Sequence, residues 1–253
     1  MKKVAVITGA SSGIGRDFVK MIDKIEECDE IWVIARRLEK LSEIESEMGK
    51  KILPVELDLS DEVSFKLYKK MLDDAECQVV ALVNAAGFGK FGKFEDIPLE
   101  EQMNMIDLNC KALMAMTHIT LEYMPEGSHV YQLGSLSAFQ PVPYIATYGA
   151  TKSFVLSFSR AINKELEERK IRVIAVCPGW VRTEFFDRAV SDDTIKYYNK
   201  FFNSADVVKR AVYDMYRGKD VSVIGASIRA QVLFTKLAPH KLIMKLWCKQ
   251  QKK

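Results

Sequence analysis

Val4-Ala5-Val6-Ile7-Thr8-Gly9-Ala10-Ser11-Ser12-Gly13-Ile14-Gly15 is the stretch that decides the fold. Its first half is apolar and β-branched, which suits a strand covered on both faces. Its second half is a loop of small residues, with glycine at 9, 13 and 15. Behind the loop, Phe18, Val19, Ile22 and Ile25 recur at helical spacing, so residues 17–25 are predicted as a helix. Strand, glycine loop and helix in this order let backbone approach a ligand closely, at a helix N-terminus that favours negative charge. A pyrophosphate suits that position. The surrounding elements, more than the glycine spacing itself, give the signal its weight.

Working outward, short apolar segments predict further strands at 30–35, 52–57, 79–83, 129–133, 172–177 and 221–224. Amphipathic stretches between them predict helices at 38–48, 62–72, 100–123, 144–168 and 205–216, the last capped by Ser204. Apolar strands separated by helices are the pattern of a parallel sheet covered on both sides. The expectation is α/β: one doubly wound, Rossmann-type domain over 1–253, with a substrate lid at 180–203 and a basic amphipathic tail at 226–253. Internal repeats, low-complexity segments and linkers are not evident.

Composition bounds the function. Hydrophobic residues make up 48% of 253 residues, as in a globular protein. No apolar run reaches the length of a membrane-spanning helix, and no leader peptide is expected. The cysteines Cys28, Cys77, Cys110, Cys177 and Cys248 fit neither a zinc spacing nor a paired framework, so no metal is expected and a reducing cytoplasm is. The net charge is +3, but residues 221–253 carry seven Lys and Arg and no acid, which leaves the remainder at −4. The body therefore offers no argument for nucleic-acid binding.

Five pieces in order carry a resemblance. TGASSGIG stands at 8–15, NAAG at 84–87, Asn109 and Ser135 follow, Tyr148 and Lys152 lie four apart, and PGWVRTEF stands at 178–185. Together they resemble the classical short-chain dehydrogenases/reductases over roughly residues 3–225. NAAG has Ala85 where that family usually has a second Asn. The resemblance implies a nicotinamide cofactor held by Gly9, Ser11, Ser12, Gly13, Ile14, Gly15, Asp58, Leu59, Asn84, Ala85, Ala86, Gly87, Tyr148, Lys152, Pro178, Gly179, Val181 and Thr183. Asp58 is also a candidate helix cap, as is Thr183. NAD-preferring relatives usually have an Asp where this chain has Ala35. Arg36 and Arg37 follow it here, and a guanidinium pairs with a 2′-phosphate that a carboxylate would repel. NADP(H) is the expected cofactor.

The resemblance makes Asn109, Ser135, Tyr148 and Lys152 the catalytic set. Residues four apart on a helix share a face, so the Lys152 ammonium is expected to lower the Tyr148 pKa from near 10. Tyr148 would then exchange a proton with the substrate oxygen while Ser135 steadies that oxygen; Ser137 is the local rival for Ser135. Asn109 would anchor a water that links Lys152 to solvent.

Phe185, Phe186, Tyr197, Tyr198, Phe201 and Phe202, with Phe139 and Tyr144, suggest a large apolar pocket, unless half of these rings merely pack the lid. A hydroxysteroid or bile acid is the expected substrate. A 3-oxoacyl thioester is the alternative, and a cofactor-binding protein without turnover is a third reading. Pro239 should split the tail into two helices, which either cap the pocket, meet a second subunit or lie on an anionic membrane. The cap or subunit contact is the favoured expectation. The resemblance also implies a homo-oligomer, tetramer or dimer, through helices 100–123 and 144–168.

Overall fold

The structure is a computed structural model that describes residues 1–49, 51–190 and 194–253. Residues 191–193 of the expected lid lie outside the described residues. Seven parallel strands form one sheet in the order β3-β2-β1-β4-β5-β6-β9. They are β1 (Lys2–Thr8), β2 (Glu30–Ala35), β3 (Ile52–Glu56), β4 (Cys77–Asn84), β5 (His129–Leu133), β6 (Arg172–Val176) and β9 (Val221–Ser222). The chain goes outward from β1 to β3, then returns to pair β4 with β1 on its other side. That reversal opens a crevice at the carboxyl ends of the central strands, where ligands bind in such sheets.

Apolar residues on both faces of each strand produce two cores. Ala5 and Ile7 of β1 pack with Phe18, Val19 and Ile22 of helix α1 (Gly13–Ile25). Val4 and Val6 point the other way, toward Trp32, Ile34 and Tyr68, the last on α3 (Val63–Ala75). Helix α2 (Leu38–Met48) buries only Leu41 and Ile44, so its remaining faces stay charged.

Several boundaries differ from the sequence expectation for local reasons. Helix α1 begins at Gly13 rather than 17, because the glycine loop itself supplies the first turn. The segment 100–123 is three pieces: α4 (Leu99–Ile106), a π-helical turn at Asp107–Ala112, and α5 (Leu113–Leu121). Helix α6 (Ala146–Glu165) starts late because Tyr144 holds a left-handed φ of 68°. Ser204 is inside α8 (Ser204–Tyr216) and does not cap it; its hydroxyl donates to Asp17 of α1.

Above the sheet, β7 (Trp180–Val181) pairs in parallel with β8 (Phe201–Phe202), and helix α7 (Phe185–Ala189) lies between them. The tail is α9 (Ala226–Leu237) and α10 (His240–Gln250), broken at Pro239. Side-chain hydrogen bonds tie it down. The Trp247 indole donates to the Pro143 carbonyl (3.0 Å), and Gln251 Oε1 accepts from the backbone N–H of Lys196 and of Tyr197 (2.9 Å each). Among the described residues, no helix is long and apolar enough to cross a membrane.

Candidate active site

A cavity of about 600 Å³ runs from the glycine loop to the C-terminal helices. Its centre is where β5, the loop after β4 and α6 meet. Ser135 follows β5, and its hydroxyl lies toward that of Tyr148. Tyr148 and Lys152 share one face of α6, both buried. Lys152 Nζ donates to the Leu133 carbonyl (2.7 Å) and lies 5.7 Å from the centre of the Tyr148 ring.

Burial dominates the protonation of both groups. It pushes the Tyr148 hydroxyl up to about 12, with the Ser135 hydrogen bond pulling the other way. It brings Lys152 down to about 8. The expected lowering of Tyr148 by the Lys152 ammonium is therefore not what this pocket gives. A buried amine that is itself drawn toward neutrality, and engaged with a carbonyl, contributes less than the loss of water around the phenol.

Asn109 lies in the π-helical turn, fully buried behind the cavity wall. Its Nδ2 donates to the Phe88 carbonyl (2.9 Å) and to Thr151 Oγ1 (3.0 Å), and its Oδ1 accepts from Phe88 N–H (3.1 Å). Both amide hydrogens are thus spent on protein, not on a water. Asn109 pins the loop after β4 to the turn of α6 that carries Lys152. Gly87 is forced by that arrangement, because a Cβ there would stand 2.7 Å from Asn109 Oδ1.

At the other end, Gly9, Ser11, Ser12, Gly13, Ile14 and Gly15 border the cavity with backbone. Gly9 has a φ of 65°, and a Cβ on it would lie 2.6 Å from Ala86 N, so no other residue fits. Arg36, Arg37, Asp58, Leu59, Ala85, Ala86, Pro178, Gly179, Val181 and Thr183 also border it. Asn84 does not: it is buried, and its Nδ2 donates to Thr117 Oγ1 and Gln132 Oε1 (3.0 Å each), a structural link between β4, β5 and α5. Asp58 accepts from Ser60, while Asp61 bonds the first amide of α3, so Asp58 is not the helix cap. Arg36 faces Asp58 at 3.9 Å. Arg37 donates to Ser11 Oγ (3.1 Å) and to Glu184 (2.9 Å), so Glu184 crosses from the lid to the end of β2. Thr183 packs on Gly13, where an added Cβ would meet its methyl at 2.9 Å, and its hydroxyl weakly accepts from Phe185 N–H (3.4 Å).

The substrate end is aromatic, but not as the sequence suggested. Phe185, Phe186 and Tyr197 border the cavity, with Phe91, Val142, Ile145, Trp180, Ile243 and Trp247. Phe185 packs on the Tyr148 ring, centroids 5.5 Å apart. Phe139 and Tyr144 do not border the cavity, and Phe139 packs on the core beneath. Tyr198 and Phe201 pack against each other within the lid, and Phe202 turns into the core. Arg188 of α7 lies 3.3 Å over the Phe88 ring and pairs with Glu101 of α4 (3.1 Å). Neither Glu184 nor Arg188 carries a sequence signal, since their importance depends on where α7 lies. Ser137 borders the cavity, its buried Oγ has no partner among the described residues, and its N–H donates to Ser135 Oγ (3.2 Å).

Known proteins of the same plan extend this picture. A sulfoacetaldehyde reductase of Chromohalobacter salexigens is 32% identical over 207 residues, 76% of this chain and 80% of that one. An NADP-dependent 3-hydroxy acid dehydrogenase of Schizosaccharomyces pombe is 30% identical over 233 residues, 87% of this chain and 90% of that one. The solved structure of a short-chain dehydrogenase of Sphingobium yanoikuyae with NADPH superposes with a TM-score of 0.77 at 26% identity, covering 94% of each chain. The family model for short chain dehydrogenases matches residues 3–194. With its sheet order, its glycine loop and its Tyr148–Lys152 helix in the places such a match requires, the chain belongs to the short-chain dehydrogenase family of oxidoreductases.

Proposed function

We propose that the protein moves a hydride between NADP(H) and a carbonyl or secondary alcohol on a bulky, apolar substrate such as a hydroxysteroid or bile acid. The observation that carries this reading is the single cavity shared by Tyr148, Ser135, Lys152 and the glycine loop, with aromatic rings walling its far end. The donor set suits the cofactor. Backbone lines the cleft from Gly9 to Gly15, no carboxylate stands at Ala35, and Arg36 and Arg37 flank the end of β2. NADPH in the Sphingobium relative supports the same choice.

The nicotinamide supplies the hydride when bound. The rest of the chemistry belongs to the chain. Tyr148, kept protonated by burial, donates its proton to the developing alkoxide during reduction. Ser135, whose hydroxyl lies toward that of Tyr148, holds the same oxygen. Lys152 is fixed by the Leu133 carbonyl, and Asn109 fixes the turn that carries it. Oxidation requires Tyr148 to shed its proton first, so its rate is expected to climb from neutral to alkaline pH while reduction does not. A flat oxidation profile would contradict the role given to Tyr148.

Two relatives are named for acidic compounds, sulfoacetaldehyde in one and a 3-hydroxy acid in the other, which is the competing substrate class. It would want a free cation near Tyr148, and Arg188, which borders the cavity from the lid, is held by Glu101 and Phe88. The test is cofactor binding and turnover with NADPH and NADH across oxo-steroids, oxo-bile acids, 3-oxoacyl thioesters and small oxo-acids. Turnover of the steroid-like ketones with NADPH preferred is expected. Replacing Arg36 and Arg37 with Ala should weaken NADPH binding at least tenfold and leave NADH unchanged. Equal loss of both cofactors would remove the phosphate argument. We further propose a homo-oligomer through α4, α5 and α6, supported by exposed Leu99, Met103, Ile106, Met114 and Phe154; a monomer in sedimentation would refute it. Five free thiols support a reducing, cytoplasmic setting.

A further inference from the structure

We infer that α9 and α10 form a docking face for an anionic lipid surface, placed at the mouth of the cavity so that an apolar substrate reaches Tyr148 from the bilayer. Each helix has two working sides. The inner side is consumed by the protein: Ile228, Val232 and Ile243 are buried, and the Trp247 indole is bonded to Pro143. The outer side is apolar and open. Leu237 is 78% exposed and Leu233 59%, with Leu242 and Leu246 also exposed. Leu233 and Leu237 are four residues apart, as are Leu242 and Leu246, so each pair forms a stripe along its helix.

Charge identifies what covers these stripes. Lys241, Lys245 and Lys249 recur every four residues immediately beside the Leu242–Leu246 stripe, and Lys236 precedes Leu237. Among the described residues, none of these four lysines pairs with an acid, and residues 221–253 contain no acid. Aliphatic stripes edged by unneutralised lysines match the boundary between acyl chains and anionic headgroups. The face also continues inward, because Phe234 and Leu246 are exposed on the outside and border the cavity. Docking stands on the tail alone; entry of substrate from the bilayer rests on the apolar-substrate reading.

The whole protein should float with vesicles of phosphatidylcholine containing phosphatidylglycerol at low salt. With pure phosphatidylcholine, or at high salt, flotation should fall at least tenfold. Leu237→Ser with Leu242→Ser, and separately K241Q/K245Q/K249Q, should abolish flotation while near-UV dichroism and turnover of a water-soluble ketone stay unchanged. None of these side chains borders the cavity. Wild-type protein that stays unbound at low salt would overturn the docking, as would flotation indifferent to both variants. A drop in sedimenting mass of the leucine variant would overturn it too, since the face would then belong to a second copy. For substrate entry, a ketone dissolved in the vesicles should be turned over several-fold more slowly by the lysine variant. Equal rates would remove the entry route and leave docking to the flotation result.

Discussion

At one end of the cleft the walls are strand ends and backbone; at the other they are rings and the edges of two helices from the last part of the chain. The cofactor end is built around one contiguous stretch, Gly9 to Gly15, to which the ends of β2, β3, β4 and β6 add short pieces. The substrate end is assembled from four distant segments: the loop after β4, the residues before α6, the lid and the tail. A backbone-built site tolerates few substitutions, because a Cβ on Gly9 or Gly87 strikes main chain or a fixed amide. A site built of side chains can change its ligand one ring at a time. The two ends meet at Tyr148 and Ser135 and are bridged by Arg37 and Glu184, so a change away from these residues should leave the other end alone.

The largest effect tests the meeting point. Tyr148→Phe should lower turnover by about 10²–10⁴-fold. NADPH affinity, measured by fluorescence titration, should hold within a small factor. Loss of cofactor affinity as well would mean that the two ends are not separable.

A smaller effect should appear at the substrate end. Trp247→Ala removes a ring that borders the cavity and the hydrogen bond to Pro143. KM for bulky ketones should rise several-fold, with kcat for a small ketone and NADPH affinity unchanged. A uniform fall in every parameter would mean that the tail matters to folding more than to substrate.

The smallest effect concerns stability. Burial brings Lys152 to about 8 from an ordinary 10.5, so the folded chain holds that proton less tightly than the unfolded chain. The charged amine therefore costs stability in full below about 8, and the cost fades as pH climbs toward 10.5. Lys152→Met should abolish turnover yet melt higher than the parent at pH 7 by about 2–4 °C per kcal/mol relieved. The gap should close as pH rises. A variant that melts lower at neutral pH would show that the bond to Leu133 outweighs the cost of burial.

The same contrast explains what could be foreseen. The sheet was legible because each strand is a short apolar run between helical periodicities, and the glycine loop because its neighbours in sequence are its neighbours in space. The π-helical turn at Asp107–Ala112 was not, since apolar spacing continues through it. Tyr144 and Phe139 look like pocket rings in sequence, but the left-handed φ of Tyr144 turns the chain so that Val142 and Ile145 face the cavity instead. Asn84 stands in a family motif, yet a buried amide between two strands and a helix finds its partners in Thr117 and Gln132. For the tail, a cap and an exposed apolar face appeared as rival readings of one periodicity. A helix has both sides, and only the packing of Trp247 and Ile243 says which side is which.

The pair between Arg37 and Glu184 also couples the two ends of the cleft. It staples the loop after β2 to the residue just before α7. Any anion that claims Arg37 must displace a carboxylate, and in doing so it releases the front of the lid. By thermodynamic reciprocity, whatever presses the lid down strengthens Glu184 as a competitor for that guanidinium. Two ligands that never touch the same side chain would thereby each change the other's affinity, by the same factor in both directions.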